Sequence, residues 1–435
     1  MSTKKTITRP TAEMESKPMP TEEKSNKSTS TSTSTSTNKK SRGQFYTTHS
    51  AYILDGFPAP PSDVGRIVEP FAGKGDLIDW IKSNSSNSSN SANETILAGK
   101  SKGKSKSNSA TSTVVPGPVI EAYDIEPKRA GIQKRDTLAN PPDYGDAWII
   151  TNPPYLARNK SAKDNKDVYD LYEMNDLYKC FIMSVVNQQQ TCRGGIFIIP
   201  AGFFFSPRAM DARCRGEFMS KYRITKVRYF EEAVFDDTAT TIVAFSFERL
   251  SALSAEQNVE WELMPSGVRK TFNMSAANDW IIGGDIYNLD LDLVPGGADT
   301  AAPVASVRRH VEGQALRTNE EQTNITLNAL DSGTAGGSRI CLTYIKDHVY
   351  PAKESSRTYA TFRVSGLAAP LDEAEQMQLC DEFNELLEKK RAETWSLFLP
   401  QFRESKEYAR KRIPFELAYR IFMHLLVHRI LVQRR

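Results

Sequence analysis

The chain lacks any run of 18 or more apolar residues, and its polar N-terminus has no apolar stretch of the kind an export signal carries. The sequence therefore predicts neither a membrane span nor a secreted protein, but a soluble, intracellular one. Cysteine is scarce: five in 435 residues, at Cys180, Cys192, Cys214, Cys341 and Cys380, with no CxxC pair. An odd, scattered set argues for reduced thiols and against a disulfide framework or a zinc site. Histidine is equally sparse. His424 and His428 lie four apart on an expected helix, but no carboxylate or thiol stands at matching spacing, so no metal is expected. A large net charge is missing too, the total being +3.

That small total hides an uneven distribution. Residues 1–44 carry nine Lys/Arg against four Asp/Glu, and residues 82–113 carry five against one, which leaves −6 for the remainder. Overall charge thus gives no argument for a nucleic-acid partner. Location gives a better one. Residues 386–435 hold twelve Lys/Arg against five Asp/Glu, interleaved with Trp395, Phe398, Phe402, Tyr408, Phe415 and Tyr419. Basic residues among aromatics suit a phosphate backbone, although the same charges also suit a solvated helix face. Residues 1–42, with alternating Ser and Thr around 29 to 36, hold too few apolar groups to offset the entropy of ordering them. Residues 82–113, rich in Ser, Asn, Lys and Gly, read as a second disordered segment.

What is present centres on Ala-Trp-Ile-Ile-Thr-Asn-Pro-Pro-Tyr at 147–155. Trp148, Ile149 and Ile150 are too few for a helix and suit a buried strand. Pro153 and Pro154 stop it, since neither donates to a ladder and each restricts the residue before it. An ordinary Pro-rich turn would share these letters. A planar amine, whose lone pair is delocalised, would find more here. The Asn152 amide oxygen and the Pro153 carbonyl can each accept one of its hydrogens, and Tyr155 can lie on its flat face, worth about 1–3 kcal/mol per base.

This tetrapeptide resembles the signature of amino-group methyltransferases that use S-adenosylmethionine, chiefly N6-adenine DNA methyltransferases. The same letters occur in enzymes that methylate adenine in RNA or a glutamine amide in protein, so those substrates stay open. Upstream, Arg66 to Ile81 reads as a strand, a turn with Gly73 and Gly75, and a helix. It is not the dinucleotide fingerprint, because the third glycine is missing. It resembles the acid-plus-GxG loop of S-adenosylmethionine enzymes, which implies that Glu69, Phe71, Gly73 and Gly75 contact that cofactor. A second strand ends in Asp124-Ile125, where a carboxylate can accept two ribose hydroxyls; the resemblance gives Ile125 a place beside the adenine ring and Asp136 a hydrogen bond to the adenine amino group. Arg-Gly-Gln-Phe-Tyr-Thr-Thr-His at 42–49 reads as a loop into a short helix that Thr47 or Thr48 can cap. It also resembles an element that meets the methionine carboxylate, which implies a cofactor role for Thr47.

The implied fold is α/β, a class I Rossmann-like methyltransferase sheet at 43–250, interrupted by the disordered insertion at 82–113. A mixed, partly helical target-recognition region is expected at 251–435, with a strand near 339–345 and helices near 371–392 and 414–432. Phe203, Phe204 and Phe205 read as core or lid. Phe235 falls where the resembling DNA enzymes keep an aromatic residue against an extruded base, and it suits a strand-end core position equally well. The order of motifs, with the target region last, resembles the gamma class of N6-adenine enzymes. Residues 411–420, Lys-Arg-Ile-Pro-Phe-Glu-Leu-Ala-Tyr-Arg, resemble sequence near the carboxyl end of adenine methyltransferases of some large DNA viruses. The implied partners are double-stranded DNA, with RNA as the alternative, and a companion restriction endonuclease, with no membrane and no metal. The implied reaction is attack of adenine N6 on the sulfonium methyl after base flipping.

Overall fold

The computed structural model describes residues 47, 49–91, 117–161, 166–235, 240–291, 305–311, 313–334, 337, 339–349, 357–367, 369–402 and 409–433. The expected tail at 1–42, residues 92–113 of the expected insertion, and Thr48 lie outside them. A short helix, α1 (Ser50–Ile53), precedes β1 (Arg66–Glu69), and the glycine turn leads into α2 (Asp76–Ser91). That helix runs past Lys82, where the insertion was expected to begin. Then come β2 (Val119–Asp124), β3 (Gln133–Lys134), β4 (Trp148–Thr151), α3 (Asp167–Tyr172), α4 (Leu177–Val186) and β5 (Gly194–Pro200). Next are α5 (Gly202–Phe205), α6 (Ala209–Met219), β6 (Tyr222–Phe230), β7 (Ile242–Arg249), β8 (Glu256–Met264) and β9 (Val268–Ser275).

These nine strands form one sheet in the order β3-β2-β1-β4-β5-β7-β6-β8-β9. The first five are parallel, and β7 enters antiparallel between β5 and β6. This is the Rossmann-like sheet the motifs implied. Every residue of β4 and β5 is buried, as parallel strands covered on both faces require. Phe203, Phe204 and Phe205 are 1 % exposed. Phe203 stacks on Phe245 at 6.0 Å and Phe204 meets Trp261 edge-on at 5.1 Å, so the triplet belongs to the core. The boundary expected at 250 needs correction. β8 pairs parallel with β6, and β9 antiparallel with β8, because the alternating buried pattern of β8 gives the edge of β6 an apolar partner.

Beyond β9, β10 (Ser306–Arg309), β11 (Glu320–Asn328), β12 (Cys341–Tyr344) and β13 (Tyr359–Ser365) form an antiparallel sheet ordered β10-β13-β11-β12. Two helices cover it, α7 (Glu373–Thr394) and α8 (Phe415–Gln433), with the small β14 (Gln401–Phe402) and β15 (Arg410–Lys411) pair between them in sequence. Asp372 and Glu375 close a reciprocal capping box at the start of α7. Leu379, Phe383, Leu387, Ile421 and Phe422 meet Leu327 and Phe362 in a second core. An ion pair between Lys411 and Glu231 and a hydrogen bond from Tyr229 to Gln401 join this part to the large sheet. Among the described residues no helix is long and apolar enough to cross a membrane.

Candidate active site

In the large sheet β1 has β2 on one side and β4 on the other, so the connections leave in opposite directions and open a crevice at the carboxyl ends. Glu69 closes β1 and is 1 % exposed. Its Oε2 has no hydrogen-bond partner among the described residues. Burial, reinforced by Asp76, Asp124 and Asp79, holds its carboxyl well above the usual carboxylate range. Gly73 and Gly75 take φ of 52° and 88°, a region side chains rarely enter. A Cβ on Gly75 would stand 2.8 Å from a guanidinium nitrogen of Arg129, which Asp79 holds at 2.8 Å.

The neighbouring loops are bonded to this one. The Gly73 amide donates to Asp124 Oδ2 at 2.9 Å, and the Glu126 amide to Oδ1 at 2.7 Å. Asp124 thus clips the loop after β1 to the loop after β2, and each oxygen keeps a further lone pair. Ile125 beside it is 43 % exposed. The Thr137 hydroxyl donates to the Pro70 carbonyl at 2.9 Å. Asp136 is exposed, and its Oδ1 accepts from the amides of Leu138 and Ala139 at 3.1 Å. Phe71 packs edge-on against Phe181 at 5.3 Å.

A raised carboxyl pKa has a measurable consequence. Such a group loses stability as pH rises from its unfolded value near 4.5 toward its folded one. Glu69→Gln removes that loss. In scanning calorimetry the ligand-free variant is expected to melt about 2–4 °C above the parent at neutral pH and to coincide with it near pH ~4. An offset of equal size at both pH values would contradict the assignment.

Beyond β4, Asn152 is 8 % exposed. Its Nδ2 donates to Thr47 Oγ1 at 3.1 Å, and its Oδ1 meets the Tyr155 hydroxyl. That hydroxyl also reaches the Ile198 carbonyl at 2.7 Å. One phenolic proton serves one acceptor at a time, so Asn152 Oδ1 keeps acceptor capacity. Pro153 is buried and Pro154 half-buried. The Tyr155 ring stands edge-on to Tyr178 at 6.4 Å. Burial, with the charge of Asp176, keeps its phenol protonated far above its usual range. Thr47 does not cap α1. His49 occupies the N-cap without a side-chain bond, and the Thr47 hydroxyl is drawn instead to the buried Asn152 amide, whose need for a partner is greater.

Residues 146–235 match the family model described as Eco57I restriction-modification methylase. The matched segment contains β4, the Asn152 loop, β5 and β6, and leaves Glu69, Asp124 and Asp136 outside. No curated protein matches the chain. Among solved structures, a modification subunit assigned to a type I restriction enzyme from Vibrio vulnificus YJ016 is 14 % identical, with a TM-score of 0.35 over 53 % of this chain and 49 % of that one. The methyltransferase subunit of a type I restriction-modification system from Streptococcus thermophilus is 13 % identical, with a TM-score of 0.33 over 51 % and 48 %. A nuclease-deletion mutant of the Type ISP restriction-modification enzyme LlaGI, in complex with a DNA substrate mimic, is 13 % identical, with a TM-score of 0.36 over 59 % and 32 %. This chain spans about half the length of the first two proteins and less of the third.

Within the matched segment, Tyr155 borders a cleft of about 970 Å³ whose lining also includes Tyr287, Arg412 and Arg420. Sequence reasoning passed over Asp176 and Lys179 on this cleft. Asp176 Oδ1 is buried without a partner among the described residues, and burial pushes its carboxyl up to about 6. Lys179 forms a buried ion pair with Asp211. The available signal was a lysine inside the otherwise apolar α4. Phe235, expected against an extruded base, is 5 % exposed and packs in the large core, and the expected loop from Asp236 to Thr238 lies outside the described residues. His424 and His428 place their rings 4.3 Å apart, with His424 Nδ1 3.0 Å from the Asp290 carbonyl oxygen. Among the described residues no group of three or more His, Cys, Asp or Glu could hold a metal. The five cysteines are free, and burial raises the Cys180, Cys192, Cys214 and Cys380 thiols to about 12.

Proposed function

We propose that this protein transfers a methyl group from S-adenosylmethionine to the N6 amino group of adenine in DNA. One observation carries the reading: the Asn152 carboxamide stands at the carboxyl end of β4, fixed by Thr47 and Tyr155, one strand away from the Glu69 Oε2 that has no partner among the described residues. A buried acceptor without a donor costs about 1–3 kcal/mol, which a cationic amino group would offset. The Glu69 oxygen, the side-chain-free approach at Gly73 and Gly75, and the exposed Ile125 therefore fit an amino-acid-bearing nucleoside. In this reading Glu69 takes the amino group, Asp124 the ribose hydroxyls, Asp136 the adenine amino group, and Phe71 and Ile125 its surroundings. The cofactor supplies an electrophilic methyl group on positively charged sulfur.

The remaining chemistry belongs to the chain. Adenine N6 is a weak nucleophile because its lone pair is spread into the ring. Asn152 Oδ1 and the Pro153 carbonyl accept its two hydrogens and draw that lone pair toward the reacting carbon. Stabilisation comes from preorganised acceptors and positioning. In duplex DNA the base must first leave the stack, at a cost of a few kcal/mol, and the cleft beside Tyr155 gives it room. The restriction-modification description of residues 146–235 supports DNA as substrate and a companion endonuclease as partner. Incubation with labelled methyl donor and separate pools of duplex DNA, RNA and protein tests this. Label is expected on N6-methyladenine in DNA. Label confined to RNA or protein would refute the DNA reading.

A further inference from the structure

We infer that Arg412 anchors the phosphodiester next to the extruded nucleotide, a positioning role that rests on the function proposed above. The Arg412 Nε is buried and has no hydrogen-bond acceptor among the described residues, and no acid lies within ion-pairing distance of its guanidinium there. The backbone beneath it is rigidly held. The Arg412 amide donates to the Pro400 carbonyl at 3.0 Å, Leu330 bridges it, and the Ile413 amide donates to the Ala329 carbonyl at 3.0 Å. A half-buried cation on so fixed a backbone, with its Nε buried and unsatisfied among the described residues, is completed by an anion.

Other arginines of the molecule show what completion looks like. Near β15, Arg391 is paired with Asp331 and Glu388, and Arg339 with Glu388. At the amino edge of the large sheet, Arg66, Arg193 and Arg249 are paired with Glu121, Asp63 and Asp146. Arg412 instead faces the cleft that Tyr155 borders. There Lys179 and Asp211 neutralise each other. What remains is Lys160, Arg208, Arg412 and Arg420 against Asp176 and Glu416, an excess of positive charge with no ion pair among these six in the described residues. Tyr155, Tyr178 and Phe205 supply the aromatic part of the wall. A guanidinium fork matches two oxygens of one phosphate, and a cleft of about 970 Å³ exceeds the needs of a base alone. The base lies toward Tyr155 and the phosphodiester against Arg412.

The test is a salt titration of duplex DNA binding by the full chain. Arg412→Ala is expected to lower the slope of log affinity against log salt by about one and to weaken binding roughly tenfold, with cofactor affinity unchanged. Arg412→Lys keeps the slope but recovers only part of the affinity, because a point charge lacks the fork. Arg339→Ala, on an exposed and paired arginine, leaves both unchanged. If Arg412→Ala unfolds by circular dichroism, Arg412→Gln carries the test with the same expectation. An unchanged slope in a folded variant of a protein that methylates DNA would overturn the role of Arg412 and leave the function standing. Absence of methyl transfer to any nucleic acid by the parent protein would overturn the function, and this inference with it.

Discussion

Asn152→Ala is expected to lower methyl transfer roughly 10²–10³-fold, the scale seen when one preorganised hydrogen-bonding group is removed from a reacting centre. S-adenosylmethionine affinity should stay close to that of the parent, because Glu69, Asp124 and Asp136 stand on other loops. The fold should survive as well. Tyr155 retains its bond to the Ile198 carbonyl at 2.7 Å, and Thr47 retains the amide of Ser50 on its own carbonyl at 3.2 Å. Single-turnover rates and calorimetric binding of the donor separate these effects. Equal loss of cofactor binding would place Asn152 in the cofactor pocket and contradict its role toward the amine.

The second large effect lies outside the crevice. Gly195 of β5 pairs with Ile149 of β4, and a Cβ built on it would stand 2.0 Å from the Ile149 carbonyl oxygen and 2.9 Å from its carbon. Both neighbours are backbone, so no side chain can swing away. Gly195→Ala must displace β4, three residues before Asn152. Overpacking of this kind costs about 1–3 kcal/mol or more, and a shift of about 1 Å at a reacting group costs on the order of 10²-fold in rate. The variant is expected to melt lower and, in its folded fraction, to turn over far less than its stability loss accounts for. Gly216→Ala in α6, where an added Cβ meets nothing within 4 Å, should be neutral or stabilise by up to about 1 kcal/mol. Melting of Gly195→Ala together with the parent would show that β4 and β5 are not held as closely as described.

Two pairs of glycines illustrate how far the sequence could be read. Gly73 and Gly75 announced themselves because they sit between a strand and a helix, in a local pattern with one meaning. Gly194 and Gly195 gave no such sign, because their constraints come from distant strands, Gly195 from Ile149, 46 residues earlier, and Gly194 from Phe247 of β7. Asp176 was missed for the same reason, and Arg412 was noticed only as one letter of the basic 411–420 segment. Both matter because the cleft brings residues from distant parts of the chain together. Thr47 was noticed, as a helix cap and, by resemblance, as a cofactor residue. Only the approach of β4 showed that its hydroxyl belongs to Asn152. Phe235 could be read from the sequence either as a base platform or as a strand-end core residue; it packs in the large core, where burial removes its apolar surface from water.

By itself the chain determined the order of strands and loops, the stiff turn after β4, and the identity of the carboxylates that end β1 and β2, because each follows from neighbours a few residues apart. Which strands lie side by side, where the large sheet stops, and which buried polar atoms are left without partners were decided by the tertiary structure alone. Those are properties of distance in space: the burial of Glu69 and of the Arg412 Nε, which gives both their significance, exists only once the chain has closed around them.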